Sequence, residues 1–266
     1  MKRIFVLAMF FVGLSLHAQR YRPAKIIFRD STVLNGLVEN SLEPSDWVYS
    51  MNIHKTRITF KKTKSSPREF LDVKKIDRII LFDKSMNIDE VMDFVPIKEF
   101  NLFNKKIPLS DKTQIKLLPL LFETEKYRVY RYELWVNKHY DRTYIYIKRK
   151  DQKYGYHFEL IEHGVVLTPS YISFRLLLQV RAMQEFGKDC PAFLSYLKPL
   201  YQKYTTRDRA LRKQTAKEFK KLKKSFKSRK EFELYLLMTY LKKYEELCGQ
   251  QEKTHQQLEK EKQNRQ

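Results

Sequence analysis

Short runs of alternating apolar and polar residues fill residues 20–167 and predict a β-rich region. The runs at 25–30 and 33–38 flank a polar turn, which is typical of a β-hairpin. Further short strands are predicted at residues 47–49, 57–60, 69–73 and 76–82. The close spacing of strands and polar turns indicates a small, strongly bent sheet or a barrel.

Residues 83–112 break this pattern, because Pro96 and Pro108 lie among charged and amide side chains. We predict an irregular connection here, which leaves open a division of the β-rich region into two sub-sheets. The alternation then returns in four candidate strands, joined by short polar links as an antiparallel meander. These strands are predicted at residues 115–122, 127–136, 144–149 and 154–161.

After Thr168 the apolar period changes from 2 to about 3.6 residues, which predicts helices. Ser170 is placed to cap a first helix over residues 171–186, and Gly187 is placed to end it. The change of period therefore marks where the β-rich region ends.

Three further helices are predicted. The second begins at Pro191 and ends near Pro199, the third covers about 206–226, and the fourth covers 229–247 with Gly249 as its stop. The apolar face of the third helix is expected to consist of Leu211, Phe219, Leu222 and Phe226.

The predicted fold class is α+β, with an antiparallel β-rich N-terminal body followed by a C-terminal helical unit of about four helices. We expect a signal peptide at residues 1–19, a β-rich domain at 20–167, a helical unit at 168–248 and a disordered polar tail at 249–266.

The first nineteen residues have the layout of a secretory signal peptide. Lys2 and Arg3 precede an apolar run over residues 4–16, and a short segment then ends at Ala18 and Gln19. The run is shorter than the roughly 20 residues that span a bilayer. We predict cleavage after Ala18 or Gln19 and export to the periplasm, the cell envelope or the medium, with no membrane span in the mature chain.

The chain has two cysteines, Cys190 and Cys248. In an oxidising compartment an even pair usually forms a disulfide. This bond would join the start of the second helix to the end of the fourth. Neither a C-x-x-C unit nor a histidine cluster is present, so we predict no metal and no cofactor.

The charge of the chain is strongly positive. The formal net charge is +22, and residues 168–266 contribute 23 basic and 11 acidic side chains. Residues 207–230 contain twelve basic residues, opposed only by Asp208 and Glu218. Such a field attracts polyanions and anionic surfaces.

Like charges four residues apart destabilise a helix. An anionic partner would relieve that repulsion in the third helix, although a solvated face needs no partner. The candidate anion-binding residues are Arg212, Lys213, Lys217, Lys220, Lys221 and Lys224.

Known catalytic motifs are missing from the sequence, including a Gly-rich phosphate loop, a nucleophile elbow and a zinc-protease helix. The best polar cluster is His157, Glu159, Glu162 and His163, which is more simply the exposed face of an edge strand. We therefore predict a non-enzymatic protein without catalytic residues.

Several short motifs follow one another along most of the mature chain. They are Lys25–Asp30 with Asn35-Gly36, Ile58–Phe60, Val73–Ile76, the Tyr-rich strands at 130–146, Asp189-Cys190-Pro191 and Cys248. Together they resemble a family of exported proteins of unknown function from flavobacterium-type Gram-negative bacteria. In that family a β-rich region precedes a helical tail with an Asp-Cys-Pro element and a terminal cysteine. The resemblance implies export and pairing of the two cysteines, and it implies no activity.

Two functions are compatible with the sequence. We favour a non-enzymatic envelope protein whose basic helix binds a lipid, a lipopolysaccharide, an acidic glycan or another envelope protein; nucleic acid suits an exported chain less well. The alternative is a carbohydrate-binding module or hydrolase that uses the Tyr-rich strands. That alternative requires a deep pocket around Tyr132, Tyr146 and Glu159.

Overall fold

The computed structural model describes residues 21–39, 57–83, 88–100, 109–137, 140–158 and 168–263. The predicted α+β class is confirmed, because strands are followed by four helices within these residues. The predicted signal peptide and the strand predicted at 47–49 lie outside them. The chain divides into two compact units, one of residues 1–96 and 113–121, the other of residues 97–112 and 122–266.

The first unit is a largely antiparallel sheet. Its strands are β1 (Tyr21–Phe28), β2 (Val33–Glu39), β3 (Arg57–Lys61), β4 (Glu69–Asp72), β5 (Ile76–Asp83), β6 (Ile88–Phe100) and β7 (Leu109–Glu123). Their order in the sheet is β7-β6-β5-β1-β2-β3-β4. Strands β6 and β7 each contribute residues to both units.

The predicted hairpin is confirmed by β1 and β2, which pair antiparallel along their length. In its turn, Oδ1 of Asp30 accepts hydrogen bonds from the backbone N–H (3.0 Å) and the hydroxyl (2.7 Å) of Thr32. These bonds hold the pKa of Asp30 below its ordinary value. Between them Ser31 has a φ of 69°, a region that most side chains avoid. Side-chain hydrogen bonds therefore stabilise a turn that has no glycine.

The core of the first unit contains aliphatic and aromatic side chains from β1, β2, β3, β5, β6 and β7, together with Val73 in the 3-10 turn after β4. Its buried members are Ala24, Ile26, Val38, Ile58, Phe60, Val73, Ile76, Ile79, Leu81, Met92, Phe94 and Leu117. Gly36 allows β2 to approach β3 closely, because a Cβ at this position would lie 2.4 Å from the carbonyl oxygen of Lys61.

The prediction of an irregular connection at 83–112 is wrong, since β6 occupies residues 88–100. Charged side chains interrupt the alternation of apolar and polar residues along β6. One of them, Asp93, is buried and accepts hydrogen bonds from Arg78 on β5. The Arg78 guanidinium donates from Nε at 2.7 Å and from a terminal nitrogen at 3.1 Å. Pro96 lies beyond the last residue of β6 that pairs with β5, so its missing N–H costs no hydrogen bond in that pairing.

The second unit contains the predicted meander. Its strands β8 (Tyr127–Asn137), β9 (Tyr140–Arg149) and β10 (Gly155–His157) follow β7 in the order β10-β9-β8-β7. Strand β10 is antiparallel to β9 and pairs in parallel with Ile97 and Lys98 at the end of β6. The remainder of the strand predicted at 154–161 lies outside the described residues beyond Phe158.

Four described helices complete the second unit. They are α1 (Pro169–Phe186), α2 (Pro191–Thr205), α3 (Arg209–Lys223) and α4 (Arg229–Gln263). Gly187 is the C-cap of α1, as predicted, and Pro191 is the first residue of α2. A Cβ at Gly187 would lie 2.4 Å from the ring of Phe193, so α2 packs directly on this cap.

The cap of α1 differs from the prediction. The hydroxyl of Thr168, and not that of Ser170, accepts the N–H of Tyr171 at 3.2 Å. Pro169 occupies the first helical position, where a missing N–H costs nothing. The helix therefore begins two residues earlier than predicted.

Two predicted helix ends are also wrong. Helix α2 continues through Pro199 to Thr205, because Leu200, Tyr201 and Tyr204 beyond the proline pack against the core of the second unit. Helix α4 continues through Gly249 to Gln263. One interior glycine costs about 1 kcal/mol, and the Gln, Glu and Lys residues that follow are strong helix formers.

The core of the second unit joins strands to helices. Its buried members are Tyr127, Val129, Ile145, Ile147, Tyr156, Phe158, Val180, Ala182, Met183, Phe186, Cys190, Phe193, Leu197, Leu237, Tyr240, Leu241, Tyr244 and Cys248. Residues 122–158 thus share a core with the helices. The predicted boundary at 167 separates types of secondary structure, whereas the compact units divide near residues 96 and 122.

The predicted disulfide joins Cys190 to Cys248, with 6.0 Å between their Cα atoms. Both cysteines are buried. Asp189, which precedes Cys190 in the chain, pairs with the buried guanidinium of Arg149 on β9. Arg149 also pairs with Asp151 and donates to the carbonyl of Phe186 at 3.4 Å. The start of α2 is therefore held by a covalent bond and by an ion pair.

Burial and hydrogen bonding shift the pKa of Asp189 in opposite directions. Burial is the largest single effect and alone would raise the pKa of its carboxyl group. The hydrogen bond from Arg149, a backbone hydrogen bond and the charges of Arg149 and Lys188 together outweigh burial and hold the pKa below its ordinary value. Arg149 lies at the last carbonyls of α1, where a positive charge is favourable to the helix dipole.

Candidate anion-binding surface

Helix α3 is anchored in the second unit at its start and along one face. The Asp208 carboxylate caps it by accepting the N–H groups of Ala210 at 2.7 Å and Leu211 at 3.3 Å. Phe219 from the buried face contacts Phe232 of α4 edge to face, with 5.1 Å between ring centroids. The orientation of the helix is thereby set by packing.

The opposite face of α3 is basic. The lysine face consists of residues spaced three, four or seven apart, which places them on the same side of a helix. All five members are exposed, and they are Lys213, Lys217, Lys220, Lys221 and Lys224. The structure therefore brings five of the six candidate residues together on one solvent-facing surface.

The two acidic residues of this segment are engaged elsewhere. Asp208 caps the helix, and Glu218 pairs with Lys203 of α2 at 2.9 Å and accepts from Gln214 at 3.0 Å. The hydrogen bonds from Lys203 and Gln214 hold the pKa of Glu218 below its ordinary value. Neither carboxylate is directed to the lysine face.

Repulsion and the helix dipole act in opposite directions on these lysines. The pairs Lys213/Lys217, Lys217/Lys221 and Lys220/Lys224 each destabilise the helix by a few tenths of a kcal/mol. Lys220 and Lys221 lie in the last turn, where a positive charge is favourable. After the dipole is taken into account, the net destabilisation by like charges is therefore greatest toward the middle of the helix, around Lys217.

Arg212 is placed differently from the other candidates. It is half-buried, and its guanidinium donates to the hydroxyl of Ser170 at 3.1 Å and to the carbonyl of Arg207 at 3.2 Å. These bonds connect α3 to the start of α1. Arg212 thus positions the helix and lies off the lysine face.

The Tyr-rich strands form one aromatic face of β8, β9 and β10. Tyr132 lies 6.3 Å from Tyr144 between ring centroids, and Tyr146 lies 4.8 Å from His157 in a stacked arrangement. Tyr130, Tyr132 and Tyr146 are buried, so their ring faces are not available to a sugar in this conformation.

Three residues of the predicted polar cluster lie outside the described part of the chain. They are Glu159, which the alternative hypothesis also requires, Glu162 and His163. Among the described residues, no group of three His, Cys, Asp or Glu side chains is arranged to hold a metal ion.

Sequence reasoning missed the exposure of Leu222. Phe219, which was predicted on the same apolar face of α3, is only 5 % exposed, whereas Leu222 is 38 % exposed. Leu222 follows Phe219 by three residues and Ala216 by six, so it lies at the edge of the apolar face, roughly 120° around the helix from Ala216. This edge position is the signal that could have revealed its exposure. A hydrophobic periodicity identifies a face but not its width.

Comparison with known proteins adds no relative. No family model matches the chain, and neither the curated proteins nor the solved structures contain a significant match. Within the described residues, no helix is sufficiently long and apolar to cross a membrane.

Proposed function

We propose that this chain is an exported, non-enzymatic protein of the cell envelope that binds an anionic component through the lysine face of α3. The observation that carries the proposal is five exposed lysines on one side of a helix whose other side is held by Phe219 and Ala216 in a core cluster. A fixed array of charges gains more from an anionic surface than the same charges on a mobile segment, because less conformational entropy is lost on binding.

Two features support export. Cys190 and Cys248 form a disulfide, which persists in oxidising compartments. The sequence also begins with the layout of a signal peptide at residues 1–19. Together they favour the periplasm or the envelope over the cytoplasm.

Export predicts a specific mass for the protein isolated from its host. Under non-reducing conditions we expect a chain that lacks residues 1–18 or 1–19 and is two hydrogens lighter than the reduced form. Intact mass spectrometry of the envelope fraction measures both changes together. A full-length, reduced chain in the cytoplasm would contradict export and would make nucleic acid the preferred partner.

Neutralising the lysine face should abolish binding to anionic surfaces. We expect the five-residue variant Lys213→Gln, Lys217→Gln, Lys220→Gln, Lys221→Gln and Lys224→Gln to bind at least about a hundredfold more weakly, since each lysine near an anionic surface contributes about 1 kcal/mol. The probes are vesicles that contain phosphatidylglycerol and vesicles that contain lipopolysaccharide, measured by co-flotation. Glutamine keeps a high helix propensity, so unfolding in urea should change little.

A matched control removes the same charge from the first unit. The variant Lys62→Gln, Lys64→Gln, Arg68→Gln, Lys74→Gln and Lys75→Gln changes five exposed basic residues and should retain binding within about twofold to threefold, the screened long-range effect of net charge. Equal loss in both variants would show that total charge, and not the lysine face, determines binding, and would overturn the proposal.

A further inference from the structure

The corner between α3 and α4 exposes apolar side chains at the C-terminal end of α3 and on the first turns of α4. Leu222 is 38 % exposed, Tyr235 is 44 % exposed and Met238 is 40 % exposed. Phe226, in the turn between the helices, is half-buried. We refer to these four residues as the corner patch.

The corner patch is continuous. The rings of Phe226 and Tyr235 lie 4.9 Å apart between centroids. Tyr235 and Met238 are three residues apart on α4, which places them on the same side of that helix. Leu222 precedes Phe226 by one turn, where the N–H of Phe226 bonds to the carbonyl of Lys223.

One side of the corner patch is fixed to the interior. Phe226 also contacts Phe232, with 5.4 Å between ring centroids, and Phe232 is buried. The exposed side chains therefore project from a packed base and do not belong to a frayed end. Exposed apolar groups held in this way have a smaller entropic cost of binding.

Three exposed lysines and one exposed carboxylate lie near the corner patch. The carboxylate is Glu231, which precedes Tyr235 by one turn of α4 and accepts the backbone N–H of Lys227 at 3.1 Å. Lys221 is adjacent to Leu222 in the chain, and Lys224 and Lys227 bracket Phe226; all three lysines are exposed. A dissolved polyanion would engage the lysines and leave the apolar groups in water. The interface of an anionic bilayer accommodates both, because acyl chains accept apolar side chains while head groups attract lysines. Tyrosine is also favoured at this depth.

We propose that the anionic partner of this protein is a lipid bilayer, and that the corner patch inserts into its interfacial region while Lys221, Lys224 and Lys227 contact the head groups. This inference rests on the proposed function and specifies its ligand class. Lysine stems cover apolar surface while their ammonium groups stay in water, which allows the C-terminal end of α3 to approach the head groups.

The test removes the apolar side chains and leaves every charge in place. The variant Leu222→Ser, Tyr235→Ser and Met238→Ser should bind at least about tenfold more weakly to vesicles of equal parts phosphatidylglycerol and phosphatidylcholine, because each buried methylene contributes to partitioning. Its binding to heparin, a dissolved polyanion, should remain unchanged. Phe226 is retained because it belongs to the packed base.

A control of the same kind comes from the first unit. Val33, Leu34 and Phe70 are 45 %, 37 % and 65 % exposed, and their joint replacement by serine should leave vesicle binding unchanged. Far-ultraviolet circular dichroism and the urea midpoint of each variant establish that it is folded before binding is compared. If the corner variant does not fold, the single variant Met238→Ser is measured, which should weaken vesicle binding in the same direction.

The outcomes separate this inference from the proposed function. If the corner variant binds vesicles normally while the five-glutamine variant does not, insertion is excluded and the proposed function stands. If the unaltered protein binds heparin as tightly as vesicles and the corner variant changes neither, the ligand is a dissolved polyanion and the bilayer is excluded. Normal vesicle binding by the five-glutamine variant overturns the proposed function.

Discussion

Loss of the Cys190–Cys248 disulfide should lower the free energy of unfolding by about 4 kcal/mol. The bond closes a loop with a sequence separation of 58, and cross-linking a loop of this length restricts the unfolded chain by about that amount in the chain-entropy model. The variant to measure is Cys190→Ala with Cys248→Ala. We expect its thermal midpoint to fall by roughly ten degrees for a chain of this size.

The location of the bond explains why the loss affects the whole second unit. Both cysteines belong to the buried core that joins β8 and β9 to α1, α2 and α4. Reduction leaves the interior contacts of Phe193 and Tyr244 in place, with 5.3 Å between their ring centroids, so the unit should remain folded but less stable. Equilibrium unfolding in urea, with and without reductant, measures this difference.

The control for this prediction is the response to reductant. Reductant should shift the midpoint of the unaltered protein to that of the double-alanine variant and should not shift the variant itself. An unaltered protein whose midpoint is the same with and without reductant would remove the structural role of the bond.

Removal of the Asp93 carboxylate should destabilise the first unit by about 3–5 kcal/mol. Asp93 is 1 % exposed and binds Arg78 through two hydrogen bonds. Deleting one partner of a buried ion pair removes the charge that compensates the other. This destabilises a fold more than replacing both partners by apolar groups. The change to measure is Asp93→Ala, by urea unfolding followed through circular dichroism.

Two comparisons make this prediction specific. Glu69→Ala removes an exposed carboxylate from β4 of the same unit and should change stability by no more than about 0.5 kcal/mol. The double variant Asp93→Leu with Arg78→Met replaces both charges by apolar groups and should recover much of the loss. An Asp93→Ala variant as stable as Glu69→Ala would mean that the pair contributes nothing to the fold.

Elements with an undisturbed local pattern were predictable from the sequence. Strands β8 and β9 alternate regularly, and their tyrosines pair across the strands as Tyr130 with Tyr146 and Tyr132 with Tyr144. Strand β6 was not predictable, because the buried charge of Asp93 is paired with Arg78, which is fifteen residues away in sequence. Local patterns cannot distinguish a paired buried charge from a solvated one.

Helix ends depended on packing that the sequence does not reveal. Pro199 would normally end a helix, yet Tyr201 and Tyr204 beyond it contact the core of the second unit. The start of α1 is decided by Thr168 and not Ser170, although both are favourable cap residues. For α2, these tertiary contacts outweigh the local tendency of proline to end a helix.

The candidate surface was predictable in part. A cluster of lysines with few acids is visible in the sequence, and its solvent exposure follows because lysine is rarely buried. The different role of Arg212 requires knowledge of Ser170 on another helix. The corner patch requires the contact between Phe226 and Tyr235, which lie on either side of a turn.

The sharing of β6 and β7 between the two units limits how the protein can be divided. A fragment that ends at residue 96 lacks residues 113–121, and with them Leu117, which is fully buried in the core of the first unit. A fragment that begins at residue 122 lacks Ile97 and Lys98, to which β10 pairs. Neither unit is a contiguous stretch of sequence. A cut at any single peptide bond between residues 96 and 122 should therefore damage at least one unit, and domain-by-domain expression is not a route to studying this protein.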